Sequence, residues 1–161
     1  MMAIPSSCFR RWPVADVIEI SESPIDTARL QQSLSNPAAG GYCAFEGWVR
    51  NENEGHVVER LEYEAYAPLA ITEGEKVLAE ARAKFPYLDA RCVHRVGLLE
   101  IGECAVWIGV ASAHRDEAFK ACRYIIDEIK VRLPIWKKEH YANGDSGWVN
   151  CERCDQHGIA D

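Results

Sequence analysis

Four of the chain's 18 basic residues fall within nine positions, KVRLPIWKK (130–138), and no acid lies among them. Lys130, Arg132, Lys137 and Lys138 thus surround Pro134 in a chain whose 25 acidic residues give a formal net charge of −7. Positive charge gathered so locally attracts an anionic ligand that the acidic surface as a whole would repel. Clustered ammonium groups also lower one another's pKa, so one lysine can serve in proton transfer or as a nucleophile while its neighbours hold phosphate or carboxylate. By position alone each has a plainer use. Lys130 suits the C-terminal end of a helix dipole, and Lys137 suits an edge strand, where lysine discourages aggregation.

Other candidates stand elsewhere in the chain. In Ser112-Ala113-His114-Arg115 a strand gives way to a helix, whose N-terminal N–H groups attract anions. His114 and Arg115 add donors there, or simply cap the helix and meet solvent. Arg50 closes a strand before the polar stretch NENEGH (51–56), which reads as a mobile lid. Phe45 and Trp48, taken alone, suit a core better than a ligand platform. Cys151 and Cys154, with His157, have part of a zinc pattern, but the second ligand pair that such a site needs is missing at suitable spacing. No metal is therefore expected. His94, within a strand, reads as a structural histidine, and His56 and His140 have no nameable partners. There is no phosphate-binding loop, dinucleotide fingerprint or nucleophile elbow.

These residues need elements to hold them. VADVIEI (14–20) reads as a strand, and Ser23-Pro24 opens a short helix to about Leu34. YCAFEGWVR (42–50) and VERLEYEAY (58–66) are strands, the second alternating with period two and slipping near Arg60. Pro68 opens a helix through about Phe85. RCVHRVGLLEI (91–101) and CAVWIGVAS (104–112) predict a hairpin about Gly102-Glu103. Ala118, Cys122, Ile125, Ile126, Ile129 and Leu133 recur at helical spacing, and Pro134 ends that helix. Beyond it, alternation puts Ile135, Lys137 and Glu139 on one side of a strand and Trp136 and Lys138 on the other. That strand and GWVNC (147–151) flank a closing turn. The order predicts an α+β domain with largely antiparallel strands over 14–151, between a flexible arm at 1–13 and a flexible tail at 152–161.

A chain of 161 residues, 48% hydrophobic and 27% charged, can bury a full core without disulfide or metal. Its acidity argues against nucleic acid and membrane surfaces as partners. Seven cysteines, most in apolar runs, read as free thiols of a reducing compartment. The N-terminus MMAIPSSCFRRWP lacks the layout of a signal peptide, and no apolar run reaches membrane-spanning length. A cytoplasmic protein is expected.

Six motifs, in order, resemble the large, catalytic subunit of molybdopterin synthase: FEGWVRN (45–51), LEYEAY (61–66), HRVGLLEIGE (94–103), VASAHRDEAF (110–119), IKVRLPIWKKE (129–139) and GWV (147–149). The resemblance spans about 40–150 and leaves the cysteine-bearing tail uncovered. It implies an α/β hammerhead fold with a small extra β subdomain. It also implies a dimer of large subunits, each binding a small ubiquitin-like subunit whose C-terminal Gly-Gly thiocarboxylate supplies sulfur. The acceptor is cyclic pyranopterin monophosphate, the product molybdopterin, and no cofactor is called for. Matched by motif, Lys130 and Lys137 fall on the family's catalytic lysines. Arg50, His114 and Arg115 fall on its anion-binding residues. Phe45, Trp48, Val49, Lys138 and Glu139 fall on the wall of its substrate pocket. Two other readings compete: a non-catalytic module that docks a ubiquitin-like partner, and a metal or thiol module built on the terminal cysteines.

Overall fold

A computed structural model describes residues 16–150. The arm at 1–13, the tail at 152–161 and the Cys151, Cys154 and His157 group lie outside the described residues.

Two sheets share the chain. The first has the order β1 (Val17–Ser21), β5 (Asp89–Arg95), β7 (Cys104–Ser112), β2 (Gly41–Trp48). β1 runs parallel to β5, and the other two pairs are antiparallel. In the second, β4 (His56–Ala65) pairs with β3 (Glu52–Asn53), β6 (Gly97–Glu100) and β8 (Ile135–Tyr141), and β8 pairs with β9 (Ser146–Asn150). The mixed α+β class and the extra β unit agree with expectation.

The helices α2 (Ala67–Lys84) and α3 (Arg115–Arg132) bury their apolar stripes in the main core. Val77 and Leu78 of α2 and Ile125 and Ile129 of α3 meet Ile18, Ile108 and Val110 of the sheet there. Leu34, just past α1 (Thr27–Ser33), packs in a separate cluster with Trp107 and Ala111 of β7. With helices to cover on both faces, β7 is a continuous apolar run and does not alternate. A third cluster, Val49, Val58, Leu61, Leu99 and Ala105, lies at the second sheet.

Three expectations need correction. First, α1 starts at Thr27 and not at Pro24, because Asp26 caps it: its carboxylate accepts from the Arg29 N–H at 3.0 Å. Second, 91–101 is not one strand. The chain breaks at Val96 and passes from one sheet to the other, with Gly97 at φ +91°. The Gly102-Glu103 turn does link β6 to β7, but β7 pairs with β5, and β6 pairs with β4. Third, NENEGH forms a tight hairpin rather than an open loop. Glu54 and Gly55 take positive φ, +51° and +79°, as a two-residue turn requires.

Gly109 shows how α1 gets close to the sheet. A Cβ there would come 2.2 Å from the Trp107 ring and 2.7 Å from a methyl of Leu34. Both neighbours are buried, so neither has room to yield. Gly109→Ala is expected to cost about 1–3 kcal/mol by overpacking. A urea titration should show a lower midpoint at unchanged slope.

Candidate active site

The four basic residues of 130–138 do not act together. Arg132 turns toward α2 and pairs with Glu80 at 2.5 Å and Glu73 at 3.6 Å. Lys138, on the outward face of β8, lies 5.5 Å over the Trp148 ring. Lys130 and Lys137 line one cavity of about 340 Å³ between the two sheets. Each arrives there for a local reason. Lys130 is one residue past Ile129, at the edge of the buried stripe of α3. Pro134 then ends helical geometry, and alternation along β8 turns Ile135, Lys137 and Glu139 to the cavity and Trp136 outward.

Arg50 reaches the same cavity from beyond β2, beside Phe45 and Trp48. Gly47 makes room for that wall, since a Cβ there would strike Val106 at 2.7 Å. The floor is apolar, with Ile126 and Ile129 from α3, Val58 and Leu61 from β4, and Val106 from β7. Low-polarity surroundings strengthen whatever charge interactions occur above them.

Glu139 is the centre of the polar wall. The residue is 5% exposed, and its carboxylate accepts from Lys137 Nζ at 2.8 Å, from Asn53 Nδ2 at 2.8 Å and from the Tyr141 hydroxyl. Burial pushes its pKa up. The hydrogen bonds from Lys137 and Tyr141 outweigh that and hold the carboxyl below its usual range. Lys137 therefore meets a carboxylate, where the sequence suggested crowding by other cations. Arg50 Nη2 donates to Asn53 Oδ1 at 3.3 Å.

His114 and Arg115 sit at the opposite end of α3 from Lys130. At 1.5 Å per residue the separation is about 22 Å. They are not among the residues that line the cavity. His114 occupies the cap position without a side-chain capping bond. Arg115 packs its backbone against Gly41, where a Cβ would come within 3.1 Å of the Arg115 Cα. Val49 is buried in the third cluster, and its backbone bonds to Glu103 and Gly102.

Sequence reading passed over Asn53, Tyr63 and Tyr141 and took His94 as purely structural. Tyr141 was within reach, since alternation from Lys137 through Glu139 leads to it. Tyr63 stands opposite Lys137 in the β4–β8 register. Asn53 carried no signal apart from the turn it precedes.

A model of the family described as "MoaE protein" matches residues 20–132. The chain belongs to the MoaE family. The molybdopterin synthase catalytic subunit of Thermoplasma volcanium is 45% identical over 131 residues, 81% of this chain and 96% of that one. The Bos taurus protein of the same name is 38% identical over 139 residues, 86% and 74%. The crystal structure of molybdopterin synthase from Staphylococcus aureus superimposes with a TM-score of 0.77 at 39% identity, covering 81% of this chain and 95% of that chain. A Helicobacter pylori structure, a complex of subunits 1 and 2 of molybdopterin-converting factor, shares the fold at TM-score 0.67 and 22% identity, with 87% and 91% coverage.

In this MoaE chain His94 lines the cavity as a buried group. Its Nδ1 is 2.8 Å from the Arg95 carbonyl, which can only accept, so Nδ1 carries the proton and Nε2 the lone pair. The ring stands edge-on to Tyr63 at 5.1 Å. Burial lowers its pKa, the carbonyl bond partly offsets that, and the Lys130 charge adds to the lowering; the result is about 4. An unfolded histidine titrates near 6.5. Below that pH the unfolded chain takes a proton that the folded His94 refuses until about 4. The neutral ring's contribution is thus complete above pH 6.5 and falls by about 3 kcal/mol as pH drops to 4. Chemical denaturation of His94→Gln across this window should give a shallower loss of stability than the parent.

Proposed function

We propose that sulfur passes, in this cavity, from the C-terminal thiocarboxylate of a small ubiquitin-like subunit to cyclic pyranopterin monophosphate, building the dithiolene of molybdopterin. The observation that carries the reading is that Lys130, Lys137 and Arg50, from α3, β8 and the segment after β2, open on one partly apolar cavity. Both reactants are anions that repel each other. Fixed cations of a partly desolvated site offset that repulsion without reorganising at the moment of reaction. Each transfer makes one carbon–sulfur bond on the pterin in place of a carbon–oxygen bond, whose oxygen leaves as water or stays on the phosphate as its ring opens. Water then cleaves the bond from sulfur to the small subunit's terminal carbonyl carbon and leaves that carbon as carboxylate.

Lys137 and Lys130 orient the thiocarboxylate and move the protons that this exchange requires. Glu139 serves best as the holder of Lys137, because three donors already occupy it. Phe45 and Trp48 flank the pterin. Val49 backs this wall from the core, and Lys138 stiffens β8 from the outside. Arg50 takes the substrate phosphate together with His114 and Arg115. Those two stand about 22 Å from Lys130 along α3. They reach such a site only if a second large subunit presents them, so the reading calls for a dimer of large subunits. The small subunit is the partner implied by the complex seen for the Helicobacter pylori relative. Free thiols at Cys43, Cys92, Cys104 and Cys122 support a reducing, cytoplasmic setting, and no cofactor is needed.

Single-turnover conversion of the pterin by thiocarboxylated small subunit tests the lysines. Lys137→Ala and Lys130→Ala should each lower the rate constant by about 100-fold or more while still binding the small subunit. Wild-type turnover by both would leave a docking module rather than an enzyme. Sharing across the dimer has its own measurement. Mixing inactive Lys137→Ala with inactive Arg115→Ala subunits, with exchange, should restore a fraction of wild-type activity in mixed dimers. No recovery would mean that His114 and Arg115 do not serve the site of a second subunit.

A further inference from the structure

The backbone fixes position 53. Asn53 and His56 face each other across the Glu54-Gly55 turn, with Glu52 and Val57 as the next pair. The hairpin is tied down at its base, where the Val58 N–H donates to the Asn51 carbonyl at 2.9 Å. It is tied again at its flank, where the Ala142 N–H donates to the Val57 carbonyl at 3.0 Å. The tip of a β-hairpin thus brings an amide against Glu139, a cavity-lining residue 86 positions away in sequence.

That amide makes two contacts of opposite polarity. Its Nδ2 donates to Glu139 Oε2 at 2.8 Å, and its Oδ1 accepts from Arg50 Nη2 at 3.3 Å. The carboxylate requires a donor and the guanidinium requires an acceptor, so the amide has one workable orientation. Aspartate would set a second anion against Glu139, and serine or alanine is too short to span both. Glu139 in turn holds Lys137, in a pair whose side chains are 7% and 12% exposed. Arg50, Asn53, Glu139 and Lys137 are therefore linked in series, from the end of β2 through the hairpin to β8.

We propose that Asn53 is a positioning residue for the transfer reaction: its amide fixes Arg50 and the Glu139–Lys137 pair at one separation, so that both cations meet their anionic substrates in one geometry. This rests on the sulfur-transfer reading above. Asn53 touches no reacting atom and acts through its two neighbours. Misplacement of a charged group by about 1 Å can cost on the order of 100-fold in rate, so a displaced series should be visible in turnover.

The test is a double-mutant cycle on the single-turnover rate constant. Asn53→Ala should lower the rate by about 10- to 100-fold, with small-subunit binding close to wild type and the thermal midpoint lowered only by the several degrees that one donor lost to a buried carboxylate accounts for. In an Arg50→Ala background the same change should cost at least about threefold less, because the two residues act through one contact. Independent sites would add to within about twofold, and that result overturns the proposal. So does wild-type turnover by Asn53→Ala. A third arm separates the amide from hairpin stability. Glu54→Gly relieves the positive φ and firms the turn without touching the amide. If it restores the rate of Asn53→Ala, hairpin stiffness and not positioning is what the asparagine supplies. Wild-type turnover by Arg50→Ala and Lys137→Ala themselves would sink the catalytic reading instead, so the two failures are distinguishable.

Discussion

The site depends on a buried ion pair, Lys137 with Glu139. Removing two charges from water costs several kcal/mol per ion, and attraction between them repays that only when the remaining lone pairs also find donors. Glu139 has those donors in Asn53 and Tyr141. A pair of this kind is weak grounds for stability, since well-packed apolar residues of similar volume often hold a fold as well. Its value is that an ammonium group stands at a defined point in a cavity with an apolar floor, where its charge acts with little screening. Much of the local architecture follows. β8 must keep strict alternation so that 137, 139 and 141 share a face. β4 must lie beside it so that Leu61 and Tyr63 stand opposite Glu139 and Lys137. The β3–β4 hairpin must end where an amide meets Glu139.

A second constraint is that the cavity lies between two sheets, so the chain must change sheet beside it. It does so at Val96, where β5 ends and β6 begins, and again through Pro134, where α3 hands over to β8. The first break leaves His94 facing the cavity and buries Arg95 against Glu103 at 3.0 Å. The second converts helical spacing to period two within five residues, which is why Lys130 and Lys137 converge from different kinds of element. A helix continuing through 134 would have carried Lys137 two turns, about 10 Å, beyond Lys130 along the same face.

How much of this could be read from the chain follows from the same physics. α3 was plain because its apolar spacing, acidic first turn and terminal proline agree. The alternation of 135–139 was plain for a similar reason, and by itself it separates Lys137 from Lys138. The break at Val96 was not legible. Residues 91–101 are apolar enough for one long strand, and local pattern cannot say that its two halves belong to different sheets. The hairpin at 51–56 was hidden by its polarity. Glutamate at a positive-φ position is not a turn signal, and only Gly55 marked it. Asn53 and Arg50 lie 86 and 89 positions from Glu139, and no spacing rule joins them. Pairings of that range are set by sheet register, which the sequence records only in aggregate.

One helix carries Lys130 at its C-terminal end and His114 and Arg115 at its N-terminal end, and β2 runs alongside. Gly41 touches Arg115, while Phe45 and Trp48 border the cavity with Lys130. Within one chain these two cationic centres cannot touch a single pterin, because a side chain spans only a fraction of the helix length that separates them. The exposed β2 edge of the first sheet, which carries Tyr42, Phe45 and Trp48, is the surface that lies between them. A second copy whose own α3 begins near this edge would complete a phosphate site from the outside. The lysine cavity would stay internal to each chain. Such a division would keep the attacking and accepting anions of the proposed reaction on separately organised cations until the assembly brings them together. On the proposed reading it would also reconcile a net acidic chain with a reaction between two anions, since the positive charge would be concentrated where the two reactants bind.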